Sequence, residues 1–345
     1  MIGENAARVA PAAGFSQGNG WFARPPVWQR LNERHPPPGT IAMQPPSELP
    51  RPARRRRDSH KHDFGRVVVI GGSTGMAGAP ALTALAALRC GAGLVEVLVP
   101  DTAAAITAGF DPCLMVRGLA SGAEGCFARA ALDEIRERVA AATAVAIGPG
   151  LGRAGTIRDL VGCLWSVAAV PTVFDADALW GLAPRPPVDA TGPGPRILTP
   201  HEGEMRRLMA GAPPTGRSDL EDAAADLAAA TGAVVLLKGP DTLITHRGDR
   251  WHNTTGNPGM ATGGSGDVLT GMIVGLACQP CVGSVGGTVS VPRRPTAVEA
   301  ARLAAWVHGR AGDIAAAAVG ELALTAGDIL GALPKALLEL ACQER

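Results

Sequence analysis

The chain contains no tyrosine, and its few phenylalanines and tryptophans leave aromatics at 3% of residues. That excludes the stacking platforms on which proteins hold single-stranded nucleic acid. Charge is sparse as well, at 18% of residues with a net of +1, so no global field draws the chain to nucleic acid or to a membrane. No apolar run reaches the roughly 20 residues of a membrane-spanning helix. The N-terminus has no signal-peptide core. Cysteines number seven, an odd and scattered count that fits a reducing cytoplasm better than a disulfide scaffold. The expectation is a cytoplasmic protein without nucleic-acid or membrane partners. Alanine and glycine, by contrast, are abundant, and apolar residues reach 46% of 345. That is ample for one large or two small domains. Small-residue helices also permit close homo-oligomer packing.

Two regions differ in grammar. Residues 1–63 cluster prolines (Pro25, Pro26, Pro36, Pro37, Pro38, Pro45, Pro46, Pro50, Pro52) ahead of the basic run Arg54-Arg55-Arg56-Arg57. Without periodicity, they read as a flexible Pro/Arg-rich extension, and the arginines as a solvated tail. Residues 64–345 read as one domain. Short β-branched runs at 66–70, 94–99, 144–147, 172–174, 196–199 and 233–237 alternate with helical stretches at 77–90, 128–142, 157–168, 202–209, 220–231 and 268–277. A small hairpin is predicted at 243–245 and 250–252, and two helical stretches within 297–320. Such alternation predicts an α/β fold with a mainly parallel sheet and helices on both faces. Residues 278–295 read as an inserted surface loop. Ligands in such folds sit beyond the carboxyl ends of the strands.

Asn257-Pro258-Gly259-Met260-Ala261-Thr262-Gly263-Gly264-Ser265-Gly266-Asp267 carries the strongest chemical signal. It runs into the apolar stretch 268–277, the predicted helix. A helix start leaves N–H groups unpartnered at the positive end of its dipole, and glycines let a loop bring its amides up to a ligand. Together they make an anion hole suited to phosphate. Asp267 would be repelled by phosphate unless it has a task. A base taking a proton from a hydroxyl that attacks phosphorus is that task; the alternative is a helix cap.

Other segments stand at predicted carboxyl ends. Gly71-Gly72-Ser73-Thr74-Gly75 departs from G-x-G-x-x-G at Ser73, which disfavours a dinucleotide fingerprint and leaves a substrate-facing loop or a tight turn. Gly148-Pro149-Gly150-Leu151-Gly152 requires a close neighbour, ligand or helix. Asp175 and Asp177 suit Mg²⁺ or hydroxyls, with Asp177 as a cap the other reading. His201, in Thr199-Pro200-His201-Glu202-Gly203-Glu204, is either a cap or a substrate contact. Lys238, closing a strand before Gly239-Pro240-Asp241-Thr242, lacks solvation unless an anion such as phosphate meets it; a solvent-facing turn is the alternative. No G-x-x-x-x-G-K-[ST] occurs. Cys278-Gln279-Pro280-Cys281 has no second pair for zinc.

Taken in order, these segments, with Ser59-His60-Lys61-His62-Asp63-Phe64-Gly65-Arg66 before them, resemble the ADP/ATP-dependent NAD(P)H-hydrate dehydratase family of the ribokinase-like superfamily. The resemblance spans roughly 59–340. It implies phosphorylation of the C6 hydroxyl of hydrated NADH or NADPH, followed by loss of phosphate. It implies an adenine nucleotide, ADP in preference to ATP, and Mg²⁺, whose ligands the sequence leaves unknown. Asp267 would be the base, with Gly264, Ser265 and Gly266 around the transferring phosphate. Lys238, Gly239, Pro240, Asp241 and Thr242 would hold the nucleotide. Ala79, Gly150, Gly152 and His201 would meet the hydrate. His62 stands where the family more often has glycine. The family is often fused to an epimerase; residues 1–63 are too short for one, so NAD(P)H-hydrate epimerase is expected as a separate chain. The rival readings are a small-molecule kinase for a vitamin-precursor alcohol and a nucleotide-binding module without turnover.

Overall fold

The computed structural model describes residues 43–341, apart from 123, 185, 189–191, 210–214, 283, 286–287 and 290. The sheet grows outward from β2 (Arg66–Ile70). Val67 and Val69 turn to one face and Val68 and Ile70 to the other, all fully buried, as a strand covered on both sides requires. On one side β3 (Leu94–Pro100) pairs in parallel; α2 (Asp101–Ala108) leads from it to the edge strand β4 (Met115–Leu119). The chain then returns to β2's other side. There β5 (Ala144–Ile147), β6 (Thr172–Phe174), β7 (Arg196–Leu198) and β8 (Val234–Leu237) follow in parallel order. An antiparallel hairpin, β9 (Leu243–His246) and β10 (Asp249–His252), completes the nine-stranded sheet. Strand order thus reverses between β2 and β5. The loops at Gly71–Gly72 and Gly148–Gly152 lie at the carboxyl ends of these two strands, where a crevice opens at such a switch point.

Two cores flank the sheet. One face carries α1 (Gly78–Arg89), α8 (Ser265–Ala277), α9 (Ala297–Val319) and α10 (Ala326–Ala341). The other carries α3 (Leu132–Ala140), α4 (Gly155–Val167), α5 (Asp177–Leu182), α6 (Glu202–Leu208) and α7 (Arg217–Thr231). The expected α/β architecture is present. The two helical stretches predicted in 297–320 are one helix, α9, of 23 residues. α8 begins at Ser265, ahead of the predicted 268. β4, α2 and α10 were not anticipated. Among the described residues no helix is long and apolar enough to cross a membrane.

The predicted extension over 1–63 divides. Residues 1–42 lie outside the described residues. From Met43 onward the arm is docked, because it has an apolar anchor and an edge to pair with. Leu49 is buried in the α8–α10 core. β1 (Arg51–Pro52) pairs antiparallel with β11 (Cys281–Val282), and Ala53 N–H donates to Pro280 O (2.8 Å). Arg55 stacks its guanidinium 3.7 Å over the Phe64 ring and donates to Gly91 O (2.7 Å). The segment read as a surface loop supplies that edge. Cys278 and Cys281 are buried, and burial pushes both thiols up to about 12.

If the arm is part of the fold, Leu49→Ala should destabilise the protein by about 2–4 kcal/mol, as core truncations do. Urea unfolding of the full chain reads this out. A change below about 0.5 kcal/mol, the size of an ordinary surface substitution, would mean the arm is not anchored there.

Candidate functional site

The amino end of α8 has no side-chain cap. Gly264 takes the N-cap position at φ 89°, where a Cβ would stand 2.8 Å from Leu82 Cδ1 and 3.0 Å from Ala326 Cβ. Only glycine fits there. Ser265 N–H reaches Thr262 O at a long 3.4 Å. Asp267, third residue of the helix, is therefore not the cap. The loop before it is held from α9: Asp313 accepts from Gly256 N–H (3.1 Å) and Asn257 Nδ2 (3.0 Å). From α1, the Thr83 hydroxyl donates to the Asp267 carbonyl (3.0 Å). The start of α8 is thus pinned from two helices while its first-turn amides have no side-chain acceptor.

Charge converges on this turn. Lys238 Nζ, at the end of β8, stands 3.4 Å from where a Cβ on Gly266 would be. It donates to Asp175 Oδ1 (2.8 Å) and lies 3.7 Å from Glu204 Oε2. Asp175 is buried, and its other oxygen accepts from the Thr270 hydroxyl (2.8 Å). Burial alone would push the Lys238 ammonium down; Asp175 and Glu204 outweigh it and hold the ammonium above its ordinary value. Burial pushes the Asp267 carboxyl up to about 7, Asp175 adds to the rise and Lys238 opposes it. Asp267 is thereby poised to exchange a proton near neutrality. Beneath, His308 Nε2 lies 3.4 Å from Ser265 Oγ. Burial pushes that imidazole down to about 4, so it is neutral.

The other predicted residues meet different fates. The close neighbours of the glycine loops are protein. A Cβ on Gly71 would lie 2.2 Å from Pro149 O, and one on Gly148 1.8 Å from Asp175 O. Gly150 packs against Ala79, whose Cβ would be 3.3 Å from a Cβ there. Gly152 N–H donates to Asp177 Oδ2 (3.0 Å), and Arg153 pairs with Oδ1 (3.0 Å). Asp177 is therefore a brace for this loop, and no side chain caps α5. His201 is the cap of α6: its Nδ1 accepts from Gly203 N–H (2.9 Å) and Glu204 N–H (3.3 Å). The anion expected to meet Lys238 is the chain's own Asp175. Pro240 and Asp241 are exposed, Asp241 at φ 51°, and Thr242 Oγ1 donates to Gly239 O (3.0 Å). Thr83, Thr270, His308 and Asp313 were missed. A lone threonine or histidine in a helical run carries no signal of the partner it meets across the fold.

Among the described residues no group of three or more His, Cys, Asp or Glu forms a metal cage. Asp175 and Asp177 have both oxygens occupied by protein donors. The side chains do not fit an all-protein Mg²⁺ site, and none is assigned as a ligand.

A family model described as NAD(P)H-hydrate dehydratase matches residues 67–335. A bifunctional NAD(P)H-hydrate repair enzyme of Moorella thermoacetica is 44% identical over 85% of this chain and 52% of its own length. The chain thus spans about half the length of the curated relatives it matches. An ADP/ATP-dependent NAD(P)H-hydrate dehydratase of Bacillus subtilis, co-crystallised with ATP and Mg²⁺, is 28% identical with a TM-score of 0.68; the match covers 84% of this chain and 94% of that one. A ribokinase-like superfamily protein of Enterococcus faecalis gives 27% and 0.65, over 84% of this chain and 92% of its own.

The Asp267 environment has a consequence for stability. Its folded value near 7 exceeds the ordinary 3.8, so the folded state holds the proton more tightly. Stability is lost as pH rises from about 4 through 7. Asp267→Asn removes that loss. The variant should gain about 2–4 kcal/mol over wild type at pH 8 and much less at pH 4. Urea midpoints at both pH values decide; a difference independent of pH would count against a half-buried, proton-exchanging carboxyl.

Proposed function

The chain belongs to the NAD(P)H-hydrate dehydratase family, and from that premise we propose that it restores hydrated NADH and NADPH by nucleotide-dependent dehydration. The observation that carries the reading is Asp267: a carboxyl raised to about 7 at an uncapped helix start beside a lysine.

On this reading the C6 hydroxyl oxygen of the hydrate attacks the terminal phosphorus of ADP or ATP. Asp267 takes the hydroxyl proton, and the nucleotide leaves one phosphate shorter. The C6–O bond then breaks, inorganic phosphate departs, and loss of a proton from the neighbouring carbon restores the ring double bond. The amides of Gly264, Ser265 and Gly266 face the charge that develops on the transferring phosphoryl group, which is where fixed donors accelerate such reactions. Lys238 shares its charge between Asp175 and that group. Gly239, Pro240, Asp241 and Thr242 form the nucleotide loop. Ala79, Gly150, Gly152 and His201 border the hydrate; with the Gly152 amide and the His201 Nδ1 already engaged, and His201 Nε2 3.4 Å from Glu204 Oε1, their contribution is shape.

ADP is the proposed donor, with ATP the alternative that the Bacillus subtilis relative's co-crystallisation supports. Mg²⁺, when bound, neutralises charge on the nucleotide's phosphates; the steps above are assigned to the chain's own residues. An epimerase partner is proposed as well. The Moorella thermoacetica relative is bifunctional, so the expectation of a separate epimerase chain is revised toward fusion in such proteins.

The test incubates the protein with hydrated NADH and Mg²⁺, with ADP and ATP in parallel. Recovery of reduced-nicotinamide absorbance with matching release of phosphate is expected. A phosphorylated alcohol that persists would make the protein a kinase. Nucleotide binding without conversion would make it a passive module. Asp267→Asn should lower kcat by about 10²–10⁴-fold. Wild-type kcat should climb with pH and level off above about 7, as Asp267 loses its proton.

A further inference from the structure

Arg217 opens α7, away from the anion hole, yet its guanidinium reaches the turn after β8 at several points. Nη1 donates to Lys238 O (3.2 Å), and Nη2 to Leu237 O and Asp241 O (3.4 Å each). Nε donates to Glu221 Oε1 (3.0 Å), and Glu202 Oε1 stands 3.7 Å from Nη1. We propose that Arg217 is a positioning residue for the nucleotide, fixing the backbone of 237–241 so that Lys238 and the turn meet the phosphates in one geometry. The inference rests on the reading of 238–242 as the nucleotide loop.

Three features carry it. One planar fork meets the carbonyls of Leu237, Lys238 and Asp241 at once, tying the end of β8 to the turn that follows it. Lys238 is held at both ends of its own residue, because its N–H donates to Pro200 O (2.8 Å) while its carbonyl accepts from Arg217. Its side chain therefore sets out toward Asp175 from a fixed base. Finally, Glu202 and Glu221 flank the guanidinium and balance its charge, which suits it to hold backbone and not to bind phosphate itself. The turn needs holding: Asp241 sits at φ 51°, a left-handed conformation few side chains adopt. Gly239 leaves the fork its room, since a Cβ there would stand 2.5 Å from Arg217 Nη1.

Arg217→Ala, Arg217→Lys and Gly239→Ala are compared with wild type by direct ADP and ATP titration, by KM and kcat, and by melting temperature. In Arg217→Ala the Kd and KM for nucleotide should rise about tenfold or more, while KM for hydrated NADH stays within about twofold. Lysine, a single point charge, should recover only part of the loss. Gly239→Ala should reproduce the nucleotide-specific loss through a different atom. Unchanged nucleotide affinity in variants that merely melt lower overturns the inference and makes Arg217 structural. An equal rise in the KM for hydrate overturns it too. Failure of the underlying reading looks different: wild type itself then binds neither ADP nor ATP.

Discussion

Lys238 and Asp175, 2.8 Å apart, join parts of the molecule that the chain keeps far from one another. Asp175 follows β6 and Lys238 closes β8, while Thr270 of α8 donates to the second carboxylate oxygen. The carboxylate is buried, so its charge is tolerable only because each oxygen has a donor. The same pair sets the field at Asp267, one partner raising its proton affinity and the other lowering it. Fold and chemistry meet in this one contact. Removing either partner would strand a charge and also alter the acid that the proposed reaction uses. On the proposed reading, an arriving phosphate competes with Asp175 for the ammonium, so ligand and scaffold draw on the same charge.

The parallel sheet was legible because strands buried on both faces read as unbroken apolar runs, as Val67-Val68-Val69-Ile70 does. The turn at Gly264 was legible too, because dense glycines before an apolar run have few other uses. β4 was not. Its Arg117 and Gly118 break the pattern, since an edge strand buries less and its sequence is freer. The docked arm was hidden for a related reason. One buried leucine among prolines looks like a linker until its cleft is known. Within the site, position along strands was readable but partners were not. The sequence marked Lys238 as needing an anion, yet nothing local could say that the anion was Asp175, 63 residues away. His201 was balanced between cap and ligand, and its two hydrogen bonds to α6 amides give it the first role. Arg217 gave no signal beyond an ordinary i,i+4 pair with Glu221.

Three departures from local rules meet in one neighbourhood. The helix start at Ser265 lacks a side-chain cap, although Asp267 is near enough in sequence to have been one. Asp267 is held in surroundings that favour its neutral form. Ala176, between Asp175 and Asp177, adopts φ 49° and ψ −118°, a region that suits glycine. Each departure works against stability, and at two of them a more stable choice was available: an asparagine at 267 and a glycine at 176. Elsewhere the chain shows both habits: a full capping box at Thr296 and Glu299 on α9 and a left-handed glycine ending α7, but also left-handed Asp241 and Arg247 and no side-chain cap on α1, α2, α3 or α4. What sets this neighbourhood apart is that its departures converge on one set of charged groups, and such convergence points to a place shaped for chemistry. Here the cluster lies beyond the carboxyl edge of the sheet, around a helix start with no side-chain cap and a carboxyl poised near neutrality. Ala176 belongs with them because its turn sends one carboxylate inward to Lys238 and the other outward to the Gly152 loop, so that a single strained residue sets both sides of the crevice.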